Sequence, residues 1–181
     1  PEANFVGKAD GIVLRAVDTN GQSTGWTALT DQNKLENVND GTHSAGTTKT
    51  MDAVYVPNVT PKEITADPEK STDIQGKEQK KTPTFKTEGD ADTATTVTPS
   101  DKYPAKLVDP KTKAKVDSVT VEGEGTYTIN PTTGEVTFQP LPTFTGKAKG
   151  IGVSLTAPVG VDKTGAQVTS TATTTYTPEV T

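Results

Sequence analysis

His43 is the only histidine in a chain of 181 residues that has no cysteine at all. Thiol nucleophiles, thiolate metal sites and disulfides are thereby excluded. A Ser-His-Asp arrangement would have to use His43, which stands in a Thr- and Gly-rich stretch with nothing to hold an imidazole in place. A solvated loop histidine accounts for it. Carboxylates number 23 against 18 Lys and Arg, but no spacing selects a pair for acid–base work. Asp40, Asp90, Asp109 and Asp162 lie in turn-like stretches that also offer carbonyls, a setting suited to Ca²⁺. None follows the spaced Asp/Asn pattern of a calcium loop, so turn formation explains them. The chain reads as non-enzymatic, with no catalytic, cofactor or metal site.

Recognition chemistry offers little more. Trp26, the single Trp, is either a ring covering the end of a core or an exposed anchor for a host ligand, with His43 in the same stretch. Leu141-Pro142-Thr143-Phe144-Thr145-Gly146 resembles a sortase signal with one residue too many and no apolar segment after it. It fits better as a connection between strands. Asn58-Val59-Thr60 is a formal glycosylation acceptor. Lys and Asn are plentiful, but no Lys–Asn–acid trio stands out for an isopeptide bond. Lys and Arg are scattered among acids, which leaves no basic face for nucleic acid. No apolar run is long enough for a membrane span.

The elements that would position these residues read as strands. Threonine is roughly a fifth of the chain, apolar residues are 30%, and there are 13 Pro and 16 Gly. Thr is β-branched and suits a pleated, half-solvated surface. Low hydrophobicity can leave a chain unfolded, but a net charge of only -5 and clear local alternation favour folded β modules. Tyr127 and Ile129 share one face before Asn130-Pro131-Thr132-Thr133-Gly134 turns the chain, and Val136 and Phe138 resume the alternation. Period-2 patterning around a Pro/Gly turn is a hairpin. Tyr127, Ile129, Val136, Phe138, Phe144 and Val153 are expected to face one core. Strands are also expected at 11–17, 51–57, 104–108, 114–121 and 150–155, with a first edge strand at 73–79.

The chain repeats itself. Phe5-Val6-Gly7-Lys8-Ala9-Asp10-Gly11-Ile12 returns as Phe144-Thr145-Gly146-Lys147-Ala148-Lys149-Gly150-Ile151. Tyr55-Val56-Pro57-Asn58-Val59-Thr60 returns as Tyr176-Thr177-Pro178-Glu179-Val180-Thr181. Residues 1–60 therefore correspond to residues 140–181, as the C-terminal part of a first repeat. Gly21 to Tyr55 spans 34 positions where Gly165 to Tyr176 spans 11, so the first copy carries a 23-residue insertion near 22–50. Residues 61–75 are polar and charged and read as a junction, and 76–181 as a complete repeat. The expected fold is all-β, with about seven short antiparallel strands in the complete module. The modules are β-sandwich-like and in tandem, one complete repeat after part of a preceding one.

An ordered set of motifs carries a family likeness. Gln75-Gly76-x-x-Gln79, Thr82-Pro83-Thr84-Phe85, Lys106-Leu107-Val108-Asp109-Pro110, the 125–138 hairpin, Phe144-Thr145-Gly146 and the closing Tyr176-x-Pro-x-Val-Thr181 together resemble the CshA-type fibril repeat. Such repeats stand in tandem in wall-anchored fibrillar adhesins of streptococci and related Gram-positive bacteria. The resemblance implies a stalk module on the cell surface, anchored to the wall through regions outside this sequence, that projects an adhesive head. Its implied partners are neighbouring repeats, with host extracellular-matrix proteins or other fibrils beyond them, and it brings no cofactor. The alternative is a ligand-binding module that contacts a host matrix protein or glycan through the loop around Trp26.

Overall fold

A computed structural model describes residues 2–17, 38–39, 50–88 and 94–181. The described chain is all-β, without a helix. It divides into two compact units, residues 1–60 with 161–166 and residues 61–160 with 167–181.

The first unit carries β1 (Gly7–Lys8), β2 (Ile12–Val17), β3 (Val38–Asn39), β4 (Thr50–Tyr55) and β5 (Asn58–Val59). β2, β4 and β3 form an antiparallel sheet in the order β2-β4-β3, with Ile12 opposite Tyr55. β1 pairs with β5, Gly7 opposite Val59 and Lys8 opposite Asn58. The Ala9 amide donates to the Pro57 carbonyl at 3.0 Å, and the Phe5 amide closes a turn on the Glu2 carbonyl at 3.2 Å. Within the same unit the Val6 amide donates to the Val161 carbonyl at 2.9 Å.

The second unit runs through β6 (Ile64–Ala66), β7 (Glu69–Asp73), β8 (Gln79–Lys81), β9 (Phe85–Thr87), β10 (Thr96–Val97), β11 (Lys106–Val108) and β12 (Lys115–Val116). It continues through β13 (Ser118–Val121), β14 (Gly125–Ile129), β15 (Val136–Pro140), β16 (Gly146–Lys147), β17 (Ile151–Val161) and β18 (Gln167–Val180). One sheet has the order β12-β11-β17-β18-β16, with β7 also on β18. A second has the order β13-β14-β15-β8, and a small third has β10-β9-β6.

The β14–β15 hairpin forms for local reasons. The Asn130 carboxamide oxygen accepts from the Thr132 and Thr133 amides at 3.1 and 3.2 Å, an Asx turn that reverses the chain. Tyr127 then falls opposite Phe138 and Ile129 opposite Val136. All four are buried, as is Val153, and Phe144 packs half-buried against them. Tyr127 stacks tilted on Phe138 at 4.5 Å, and Tyr176 of the facing sheet meets Tyr127 edge-on at 6.4 Å. Leu107, Ile151, Leu155 and Val180 fill the same core.

Three expectations change. Residues 61–75, expected to be a junction, carry β6 and β7 and belong to the second unit's sheets. Their charge misleads because β7 alternates half-buried with exposed residues: Lys70 faces water, and the half-buried Glu69 and Asp73 pair with Lys81 and Lys77, each at 3.3 Å. The edge strand expected at 73–79 is instead the bend at Gln75-Gly76 between β7 and β8. The module also has more strands than the seven expected, and its last two are long, 11 and 14 residues.

The sequence copy is matched by a structural one. In the second unit Gly146 lies opposite Val180 and Lys147 opposite Glu179. The Ala148 amide donates to the Pro178 carbonyl at 3.0 Å, and the Phe144 amide to the Leu141 carbonyl at 2.9 Å. These are the pairings of Gly7, Lys8, Ala9 and Phe5, residue for residue. Gly11 and Gly150 occupy equivalent close approaches. A Cβ on Gly150 would stand 2.8 Å from the Tyr176 carbonyl oxygen, and one on Gly11 3.0 Å from that of Tyr55.

Candidate force-bearing site

Near its start and at its end the second unit comes together in one pair of strands, β7 and β18. β7 runs parallel to β18, with Glu69 opposite Tyr176 and Asp73 opposite Val180. The contact extends beyond the ladder at both ends. The Ile64 amide donates to the Ser170 hydroxyl at 3.1 Å, and the Thr174 hydroxyl to the Asp67 carbonyl at 2.8 Å. At the far end the Thr181 amide donates to the Asp73 carbonyl at 2.9 Å, and the Gln75 amide to the Thr181 carbonyl at 3.0 Å. Residues 64–75 thus lie alongside 170–181 in one direction.

Side chains fasten this seam to the second sheet. Gln79 is buried on β8, where its amide nitrogen donates to the Glu179 carbonyl at 2.9 Å. Its amide oxygen accepts from the Ser71 hydroxyl. Ser71 has one proton to give, so Tyr176 donates its own to the Ser71 oxygen, at 2.7 Å. Each buried polar group in the chain Tyr176–Ser71–Gln79 is thereby satisfied, as burial demands. Burial raises the Tyr176 hydroxyl pKa, against the lowering effect of Ser71. Burial raises Tyr127 further, with the Glu124 carboxylate adding to the effect. Both rings stay neutral at any ordinary pH.

Glu124 is a second buried polar group. Its carboxylate accepts from the Lys149 amide at 3.1 Å and pairs with the Lys149 ammonium at 3.5 Å, tying the bend before β14 to the 148–150 stretch. Gln79 stood in the motif set as a family mark, while Ser71 lay in the supposed junction and carried no signal. Nothing in the spacing around Glu124 announces its burial.

The other candidates fall as follows. Trp26, His43, Asp40 and Asp90 lie outside the described residues. Asp109 accepts from the Lys111 and Thr112 amides at 2.7 and 3.0 Å. Asp162 accepts from the Thr164 and Ala166 amides at 2.8 and 3.0 Å and from the Thr164 hydroxyl at 2.6 Å. The Thr112 and Lys111 amides lower the Asp109 pKa, and the Thr164 hydroxyl and amide lower that of Asp162. In both turns one carboxylate oxygen is committed to the backbone. No group of three or more potential metal ligands occurs among the described residues. Residues 141–146 form the tight turn into β16, and Asn58 lies on β5.

The model of the surface adhesin CshA repetitive domain matches residues 61–180. This chain belongs to that family. The CshA repeat match begins at the start of the second unit and spans both strands of the parallel seam. Membership makes the chain a surface-adhesin repeat of a structural kind, with an extracellular or cell-surface location. Among curated proteins nothing matches. Among solved structures the chain is similar to mouse cadherin-23, repeats EC22–24, at 14% identity and a TM-score of 0.35. That match covers 78% of this chain and 39% of the cadherin chain.

Proposed function

We propose that this chain is a stalk segment of a wall-anchored adhesin, built to carry tension between the wall and an adhesive head. The observation that carries the reading is the parallel seam between residues 64–75 and 170–181. A repeat in a stalk is pulled from its two ends. Tension draws the first strand towards its N-terminus and the last towards its C-terminus. In a parallel pair these forces oppose one another along the strands, so the seam's hydrogen bonds are sheared together. A hairpin pulled at its open end would break them one at a time. Each bond is worth only about 1 kcal/mol net, so loading them in concert is what gives resistance.

In this reading residues 1–60 are the C-terminal part of a preceding repeat, with the 23-residue insertion between its strands. The shared register and the paired glycines support it. The chain then does no catalysis, and its partners are neighbouring repeats in the same fibre.

Single-molecule pulling on the whole chain from its two ends tests the proposal. Unfolding of the second unit should release about 40 nm of chain in one step, at the extended length of ~3.5 Å per residue. Ser71→Ala, which removes the hydroxyl between Gln79 and Tyr176, should lower the unfolding force. Stepwise release at low force, unaffected by Ser71→Ala, would sink the stalk reading.

A further inference from the structure

The two copies differ on one face. Ile151, Val153 and Tyr176 of the second unit are 1%, 0% and 0% exposed. Their equivalents in the first unit, Ile12, Leu14 and Tyr55, are 57%, 54% and 57% exposed. In the second unit this face is covered by the β13-β14-β15-β8 sheet. Tyr127 lies edge-on to Tyr176, and Gln79 and Ser71 take up the tyrosine hydroxyl. Exposed large side chains clustered on one face of a sheet mark a surface made to be covered.

We propose that Ile12, Leu14 and Tyr55 form a docking face for a four-stranded antiparallel sheet of the kind made by residues 79–140, contributed by the earlier strands of the same repeat on the N-terminal side. The proposal rests on reading residues 1–60 as the end of a repeat, and adds what covers it. The internal copy specifies the occupant's chemistry. It must bring an aromatic ring edge-on to Tyr55 and a hydroxyl–carboxamide pair for its phenol. Aliphatic side chains must lie over Ile12 and Leu14. A second copy of this chain is a poorer fit, because its own β13-β14-β15-β8 sheet is already seated on the core of its second unit. Pro1 is the sequence equivalent of Pro140, so a covering sheet ending at the equivalent of Gln139 joins in register without a linker.

The test extends the whole chain at its N-terminus with a copy of residues 61–139 joined directly to Pro1. Amide exchange at 12–16 and 51–55 should slow by roughly 100-fold or more, as local opening gives way to unfolding of a complete unit. A second cooperative melting transition should appear. Leu14→Asp should abolish both gains in the extended chain while leaving the second unit's transition in place. Tyr55→Phe, which removes only the phenol oxygen, should reduce the protection without abolishing it. If exchange at 12–16 stays fast after the extension, the docking proposal is overturned and the repeat reading of 1–60 survives on its register. Full protection of those amides in the chain without the extension, at all concentrations, would overturn the repeat reading itself. Protection that rises with concentration in the unextended chain would overturn the choice of occupant in favour of a second copy.

Discussion

Residues 5–12 and 55–59 make the same backbone pairings as residues 144–151 and 176–180, yet Ile12 and Tyr55 face water where Ile151 and Tyr176 face a core. The opposed Gly/Val and Lys partners, the amide donated to a proline carbonyl and the close-approach glycine recur in both. The difference teaches which features travel with a pair of segments. A short ladder and a crowded glycine are settled when the two matching segments meet, Gly7 with Val59 and Gly146 with Val180, so they recur where both segments recur. Burial is settled by whatever strands arrive from the rest of the chain. Matching backbone pairings can therefore stand on very different stability.

Substituting the paired isoleucines gives the sharpest test. Ile151→Ala should destabilise the second unit by about 2–5 kcal/mol, the range for deleting a buried aliphatic side chain. Ile12→Ala, the same change in the same register, should stay within about 0.5 kcal/mol, as for an exposed site. Denaturant unfolding of each variant measures both. An equal cost at the two sites would break the contrast.

The paired glycines should differ less. Gly150 has φ +85 and backbone oxygen close by, so Gly150→Ala should cost about 1–3 kcal/mol, the scale of local backbone strain. Gly11→Ala meets the movable Val56 methyl at 2.8 Å and the Tyr55 carbonyl oxygen at 3.0 Å, but without a positive φ, and should cost less. Melting temperatures of the two variants would rank them, and the reverse order would show that the crowding is unequal in the other direction.

The smallest effect is on acidification, and here the two units should behave alike. Backbone amides lower the pKa of Asp73 and Asp109 in the second unit, and the Thr164 hydroxyl and amide lower that of Asp162 in the first. A carboxyl lowered on folding stabilises the folded state above its ordinary value of 3.8 and loses that contribution as the pH falls through its folded value. Thermal stability should be flat in this respect above pH 4 and decline below it. Asp109→Asn should flatten part of the decline.

The sequence made the β14–β15 hairpin legible because Tyr127, Ile129, Val136 and Phe138 alternate cleanly around a Pro/Gly turn. It hid β18, where threonines lie on both faces of 169–175 and the buried face runs through Ala172, Thr174, Tyr176, Pro178 and Val180. It hid β7 because a strand with one half-buried face can be written almost wholly in charged and hydroxylic residues. The Tyr176–Ser71–Gln79 contact was out of reach for a different reason. Ser71 and Tyr176 stand 105 positions apart, and no local pattern reports a pairing across that span.

That separation also sets a timetable. The Ile64–Ser170 and Thr181–Asp73 contacts bridge 106 and 108 positions, so the first strands of the module cannot be seated until its last residues exist. A chain made from its N-terminus must hold 64–75 waiting until residue 181 has emerged. Non-local closure of this kind slows folding. In an array of similar modules, a waiting strand can meanwhile take a neighbour's last strand by mistake.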